Sequence, residues 1–280
     1  MSAVNRAEVT VYHFLIVELP LWAAALLILG GVPVVAVLLQ ALMRRLVPPP
    51  RAKANNDVAG FLVAVIGVVY AVTIGFSVDD QWENFAEVRQ YAAEEAYLAA
   101  AVGRGSAVMG PGDRREVIEA VVAYNRAVVA WWPKDVGLTR QSPAERRAMR
   151  HLFDTVGKLR PVNEPQRAYV EVATDELVAV SALNADRHRR AGTAHLSTPM
   201  WIAVCLTSTV ILLFSLLFGL ESPWLHYSMI TGVALVVGVN LFLVVLLEFP
   251  LTGALSVSSG TFTEATLDLL RELPASPAPG

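Results

Sequence analysis

Residues 57–79 read DVAGFLVAVIGVVYAVTIGFSVD, an uncharged run from Val58 to Val78 closed at each end by an aspartate, Asp57 and Asp79. A helix needs roughly 20 apolar residues to cross the hydrocarbon core of a bilayer, so this run is long enough. In lipid every backbone polar group has to be satisfied within its own element, which makes the run a helix. Three further stretches meet the same test. One runs from about Leu21 to Leu42 and carries Pro33; another, Pro199 to Leu220, is uncharged; the last lies between Glu221 and Glu248, with His226 near its start.

Composition points the same way. Apolar residues make up 55% of the 280 and charged ones 17%, with mean hydropathy +0.49, values on the apolar side of soluble proteins. A net charge of −3 gives no general attraction to nucleic acid, and the single cysteine, Cys205, excludes an intrachain disulfide or a Cys-rich metal site. The N-terminal segment, residues 1–20, has a weak charged region (Arg6 against Glu8), and the apolar run beyond it reaches full spanning length. It reads as a retained membrane anchor rather than a cleavable signal.

Between the second and third spans, residues 79–198 differ in character, holding 16 of the 22 Lys+Arg and 17 of the 25 acids. Their punctuation is helical. Gly110–Pro111–Gly112 is a break before Asp113, read as an N-cap; Trp132–Pro133 and Gly137 mark a second break. Ser142–Pro143–Ala144–Glu145 has the form of an N-cap, a proline at the first helical position and a capping-box acid. Asn163–Glu164–Pro165 opens a last helix expected to run into the third span. The expected fold is therefore an all-α integral membrane protein: an N-terminal segment 1–20, a transmembrane hairpin 21–78, a helical-bundle domain 79–198, a second hairpin 199–249 and a tail 250–280. Four spans put both termini and the helical domain on one side. The first hairpin's Arg44, Arg45, Arg51 and Lys53 would make it cytoplasmic, whereas Arg6, Arg89, Arg187, Arg189 and Arg190 argue for the domain side.

The second span has two distinct faces. Gly60, Ala64, Gly67, Ala71 and Gly75 form a ridge of small residues that lets helices approach closely in lipid. Ile66, Tyr70, Thr73 and Ser77 share another face, which either lines a pore with Ile66 and Tyr70 as its constriction or bonds to other helices. Glu248 at the end of the fourth span is either part of an ion path or a hydrated interfacial carboxylate. Arg89 interrupts an apolar stripe of Phe85, Ala86, Ala92, Ala93, Ala96 and Ala100, and either pairs with a carboxylate or attracts anions. Arg187–His188–Arg189–Arg190 reads as an anchor to lipid headgroups. The five histidines show no metal-ligand spacing, and no P-loop, Gly-x-Ser-x-Gly or His-Glu-x-x-His motif occurs, so no catalytic residue, metal or cofactor is expected.

Asn56–Asp57–Val58–Ala59–Gly60–Phe61, Gly67–Val68–Val69–Tyr70–Ala71, Gly75–Phe76 and Trp82–Glu83 resemble the signature of the bestrophin-like family of uncharacterised membrane proteins. Glu94–Glu95–Ala96, the stretch from Tyr124 to Trp132–Pro133, and Pro250–Leu251–Thr252–Gly253 fit it too, so the resemblance spans about Leu21 to Leu270. A more distant similarity to bestrophins proper, pentameric anion channels whose second transmembrane helix lines a hydrophobic neck, rests on Gly75–Phe76, Trp82 and Arg89. That resemblance implies a homo-oligomeric channel of the cell membrane for chloride or another small anion. It favours Ile66, Tyr70 and Thr73 as neck-facing; the expectation adds Phe76 and Ser77 as further pore-lining residues, Arg89 as an anion attractor and the small-residue ridge as a packing surface. It also implies a cytosolic helical domain. The acidic cluster that binds calcium in animal bestrophins is not found. The alternative is a non-conducting sensor or scaffold whose helical domain captures a partner or ligand.

Overall fold

The computed structural model describes residues 20–46, 56–132, 141–193, 196–218, 220, 222–248, 250–251 and 255–273. The N-terminal segment before Pro20, Arg51 and Lys53 of the first hairpin, Pro133 and Gly137, His195, Thr252–Gly253 and the tail from Pro274 lie outside them. The described elements are helical: α1 (Leu21–Leu46), α2 (Asn56–Gly105), α3 (Pro111–Trp131), α4 (Pro143–Lys158), α5 (Glu164–Thr193), α6 (Thr198–Ser215), α7 (Pro223–Leu247) and α8 (Gly260–Glu272). Among the described residues there is no strand. Four of these helices, α1, α2, α6 and α7, are long and apolar enough to cross a membrane.

Local chemistry accounts for most boundaries. Ser142 caps α4 by accepting from the Glu145 N–H at 2.9 Å, and Asn163 does the same for α5 from Gln166 N–H at 3.0 Å. The cap of α3 is Gly110, with Pro111 leading the helix, so Asp113 sits in the first turn rather than at the N-cap. In α1 a π-helical turn spans Leu26–Gly30. It lies where Pro33, which has no N–H, leaves the Leu29 carbonyl without its helical donor. The last domain helix does not run into the third span: α5 ends at Thr193, and α6 starts afresh at Thr198 behind Ser197, with Pro199 in its first turn. Pro199 cannot donate to a preceding carbonyl, so α2 is the one described helix continuous between a span and the helical domain.

The chain forms two compact units. One holds α1, α2 as far as Glu83, α6 and α7. Its interior consists of Tyr70, Ile74, Val204, Val237 and Val244, with a second group of Ala36, Leu216, Ile230 and Ala234. Helix α7 packs along α1, and a methyl placed on Gly238 would stand 3.4 Å from the Ile28 carbonyl oxygen, so the glycine lets two backbones meet. Towards the C-terminal end of α1 the buried Gln40 amide nitrogen donates to His226 Nδ1 at 3.2 Å, with the Arg44 guanidinium 3.4 Å from the same atom. The other unit holds α2 from Asn84, α3, α4, α5 and α8.

In the helical unit α2 buries Val88, Ala92, Ala96, Ala99 and Ala100 against Val121, Tyr124, Leu152, Leu177 and Leu269. The buried face is rotated from the expected stripe: Ala86, Arg89 and Ala93 are exposed, and Glu95 is inside. Two glycines near the end of α2 give its neighbours room. A methyl on Gly103 would meet Leu269 Cδ2 at 2.8 Å, and one on Gly105 would meet the Tyr169 ring at 3.0 Å. That ring cannot retreat freely, because its hydroxyl donates to the Val102 carbonyl at 2.9 Å. Alanine is the better helix former by about 1 kcal/mol, but overpacking a buried contact costs about 1–3 kcal/mol, so the clash wins. Gly105→Ala is therefore expected to lower the thermal midpoint of the detergent-solubilised protein. Gly103→Ala combined with Leu269→Ala should lose less than the sum of the two single changes, measured as a double-mutant cycle.

Candidate functional site

Within its span, α2 is divided lengthwise by what its own protomer covers. Tyr70 is 5% exposed and Ser77 fully buried. The Tyr70 hydroxyl faces Ser208 and Asn240, while the Ser77 hydroxyl donates to the Thr73 carbonyl at 2.9 Å. Thr73 is half-buried and donates to the Val69 carbonyl at 2.9 Å; Ile66 is half-buried as well. Tyr70 and Ser77 thus face other helices of the same chain and are absent from its open surface. On the small-residue ridge, a methyl on Gly60 would touch Phe218 at 3.9 Å and one on Gly67 would touch Ile211 at 3.8 Å, so these two pack against the α6 side. Ala64, Ala71 and Gly75 are exposed.

The open side lies about a third of a turn from Tyr70, at about 100° per residue. It carries Val58, Val65, Val69, Val72 and Phe76, which are 63%, 49%, 53%, 52% and 67% exposed. Their spacing of i, i+7, i+11, i+14 and i+18 makes one straight stripe. Of the candidate pore residues, Phe76 lies on it and Thr73 and Ile66 flank it. The stripe ends in three exposed acids on the same face, Asp79, Asp80 and Glu83. Together with Phe76 and with Leu196, Ser197, Pro199 and Met200 they bound a cavity of about 660 Å³. On the opposite side of the same turn Glu248 is buried: its carboxylate accepts from Gln81 Nε2 at 2.9 Å, the Leu196 N–H at 3.2 Å and Trp201 Nε1 at 3.4 Å. It is a tie between helices rather than a hydrated interfacial group.

The helical unit contains a buried polar cluster that reading residue by residue did not find. Arg187, 2% exposed, donates through Nε to Glu95 at 2.8 Å and through an Nη to Glu145 at 2.9 Å. Its guanidinium carbon lies 4.7 Å over the Trp132 ring and 5.9 Å from that of Phe262. Tyr124 donates its hydroxyl to Glu95, and the Asn184 amide nitrogen is 3.0 Å from Glu95 Oε1 and from the Tyr124 oxygen. His188 Nε2 is 3.2 Å from both Glu145 oxygens. Arg187 and His188 therefore sit inside the domain and do not anchor to headgroups, whereas Arg189 is exposed and pairs with Asp186 at 2.8 Å. Arg89 is exposed on α2. Burial opposes the charge on Arg187, but Glu95 and then Glu145 outweigh it and hold the guanidinium protonated. Burial, and then the Glu95 charge, push the Tyr124 phenol well above its usual value. Among the described residues no three His, Cys, Asp or Glu side chains are grouped to hold a metal ion.

The sequence matches the family described as Bestrophin-like domain over residues 30–262. No curated protein matches the chain. Among solved structures, the chain is similar to a bacterial bestrophin homolog from Klebsiella pneumoniae, with a TM-score of 0.62 at 16% identity over 87% of this chain and 99% of that one. A single-substitution variant of that homolog matches with a TM-score of 0.63 at 15% identity, over 85% of this chain and 99% of that one. At such identities the likeness concerns the fold.

The buried cluster makes its own predictions. For Glu145 burial acts to raise the carboxyl pKa, but the His188 hydrogen bond and the Arg187 charge overcome it and hold the group at about 2, below its ordinary 4.5. A depressed carboxylate stabilises the fold above its unfolded pKa, and that contribution, on the order of 3 kcal/mol, is lost as pH falls towards 2. The thermal midpoint should fall between pH 5 and pH 2, and Glu145→Gln should flatten that slope. Arg187→Met should cost about 3–5 kcal/mol by stranding two buried carboxylates, and adding Glu95→Gln and Glu145→Gln should recover part of the loss.

Proposed function

Because the chain belongs to the bestrophin-like family, we propose that it is a homo-oligomeric ion channel crossing the cell membrane four times, its pore lined by the α2 face that its own protomer leaves open. One observation carries the reading: the exposed stripe from Val58 to Phe76 runs the length of the span and ends in Asp79, Asp80 and Glu83. Copies related by a closed rotation axis, five if the likeness to bestrophins extends to subunit number, would bring identical stripes together around one axis. Ala64, Ala71 and Gly75 lie beside the stripe with no side-chain bulk, which suits close contact between neighbouring α2 helices. Rings of Val72 and Phe76 then make the neck. Apolar rings gate by excluding water, so an ion would pass when the ring widens. Tyr70 and Ser77 support the neck from behind rather than lining it.

The resemblance implies chloride, with Arg89 gathering anions. The acids at the end of the stripe favour a second reading. Exposed carboxylates repeated around an axis raise the local concentration of cations and repel chloride. We therefore read the pore as admitting small monovalent cations, with chloride as the alternative that the same experiment distinguishes.

The test is ion flux and reversal potential in liposomes, with each variant checked for the same oligomeric state. Phe76→Ala with Val72→Ala should raise flux about tenfold, the effect of lowering a barrier by about 1.4 kcal/mol, while Tyr70→Phe leaves it unchanged. Neutralising Asp79, Asp80 and Glu83 together to Asn, Asn and Gln should reduce the cation-to-chloride permeability ratio roughly threefold to tenfold, and less at high salt. A wild-type reversal potential at the chloride value would select the anion reading. Silence from intact oligomers of every variant would overturn the channel and turn attention to a non-conducting sensor or scaffold.

A further inference from the structure

Two faces of the helical unit carry charge that the unit itself does not neutralise. On α4, Arg146, Arg147, Arg150, His151 and Lys158 are all exposed, and at about 100° per residue they fall within about 140° of the helix circumference. Asp154 is the one exposed acid of that helix. Other arginines of the unit bring their own acid: Arg167 lies 3.5 Å from Glu164, Arg189 2.8 Å from Asp186 and Arg271 3.3 Å from Asp268. Among the described residues no carboxylate pairs with Arg147, Arg150 or Lys158. Cations three and four residues apart repel one another, and the first of these stand near the N-terminal end of α4, where the backbone dipole favours anions. The arrangement weakens α4, and no described residue of the same copy offsets it.

Helix α5 shows the converse. Glu164, Glu171 and Asp175 are exposed within about 40° of one another. Glu164 is tied to Arg167, but among the described residues no cation pairs with Glu171 or Asp175. Val172 and Val178, 55% and 58% exposed, add apolar area beside these acids. The two faces match in length: at 1.5 Å per residue Arg146 to Lys158 covers roughly 18 Å of helix, and Glu164 to Asp175 roughly 17 Å. Each presents a pair one turn apart, Arg146 with Arg150 and Glu171 with Asp175. Within one copy α4 and α5 are joined through their inner faces, by Glu145 and Arg187, and no ion pair joins the outer ones among the described residues. A closed ring joins two different patches of each copy. A net charge of −3 and an acidic face give a nucleic acid little attraction, whereas a second copy supplies a complementary face of matching length.

We infer that the basic face of α4 docks on the acidic face of α5 in a neighbouring copy, an inference that rests on the homo-oligomer proposed above. Single exposed ion pairs contribute little, so the contact acts as an array that sets register between copies and weakens with salt. The test uses the full-length protein in nanodiscs, with Cys205→Ser as background and Arg147→Cys and Val172→Cys added. A short bismaleimide should link copies into ladders when both cysteines are present and not when either stands alone. Reversing Arg146 and Arg150 to Glu should cut the linked fraction about fivefold, and reversing Glu171 and Asp175 to Arg should do the same. The variant with all four reversals should recover to within about twofold of its parent. All of these positions are exposed, and an unchanged thermal midpoint separates a lost contact from a lost fold. Linkage that neither reversal alters, in oligomers of unchanged mass, would overturn the contact and leave the channel reading standing. Loss on reversing α4 that reversing α5 does not repair would also overturn it, and would assign α4 to an anionic partner of another kind. A monomeric parent would overturn the oligomer itself.

Discussion

A guanidinium enclosed in protein is the strongest constraint in the helical unit. Arg187 has no water to solvate it, and an isolated charge there would cost far more than the whole net stability of a domain. It persists because the helices around it converge on its charge. Helix α2 brings Glu95, α4 brings Glu145, α3 brings Tyr124, and Trp132 and Phe262 cover its faces. These partners arrive from four separate stretches of chain. The arrangement specifies which helix lies beside which, something that the small aliphatic contacts of Ala92, Ala96 and Ala99 do far less selectively. Ser142 contributes indirectly, since the cap that starts α4 also sets where Glu145 enters the cluster.

The membrane unit solves a different problem. Its helices satisfy their own backbones, and lipid is as apolar as the side chains that face it, so hydrophobic burial does not choose which faces meet. Close approach and the few polar ties choose instead. Gly238 admits the α1 backbone, Gln40 meets His226, and Glu248 gathers donors from α2, from the Leu196 backbone and from α6. These contacts rotate α2 so that Tyr70 and Ser77 point inward and Val72 and Phe76 outward.

That rotation marks the limit of what could be read from the sequence. The four spans were legible because length and apolarity alone define them, and the α4 start because Ser142–Pro143 carries its own chemistry. The orientation of α2 was not. In a span where nearly every residue is apolar or small, the hydroxyls of Tyr70, Thr73 and Ser77 look like the polar surface, yet Thr73 and Ser77 donate to their own helix's carbonyls. Nor was the Arg187 cluster legible: Glu145 read as a capping acid, and Arg187 and His188 as two members of a basic run. A charge's destination depends on partners that are distant in sequence, 92 residues away for Glu95 and Arg187. One signal was available. The α2 stripe with Arg89 inside it was less apolar than the register shifted to Val88, Ala92, Ala96 and Ala99, and that register carries Glu95 inward.

The two faces of α2 bear on how a gate of this kind would operate. An apolar ring of valine and phenylalanine holds no ion in place, so its state depends on diameter and hence on how tightly neighbouring helices pack. Diameter is set by whatever fixes the rotation of α2. The inward face does this through Tyr70, Ile74, Ser77 and Gln81, all buried within the same unit. On that inward face the Tyr70 hydroxyl lies against Ser208 of α6 and Asn240 of α7. Charge at the mouth and packing behind the ring are thus separate controls on the proposed pore: Asp79, Asp80 and Glu83 bias which ion enters, and the α2–α6 contact biases whether the ring is wide enough to be wet.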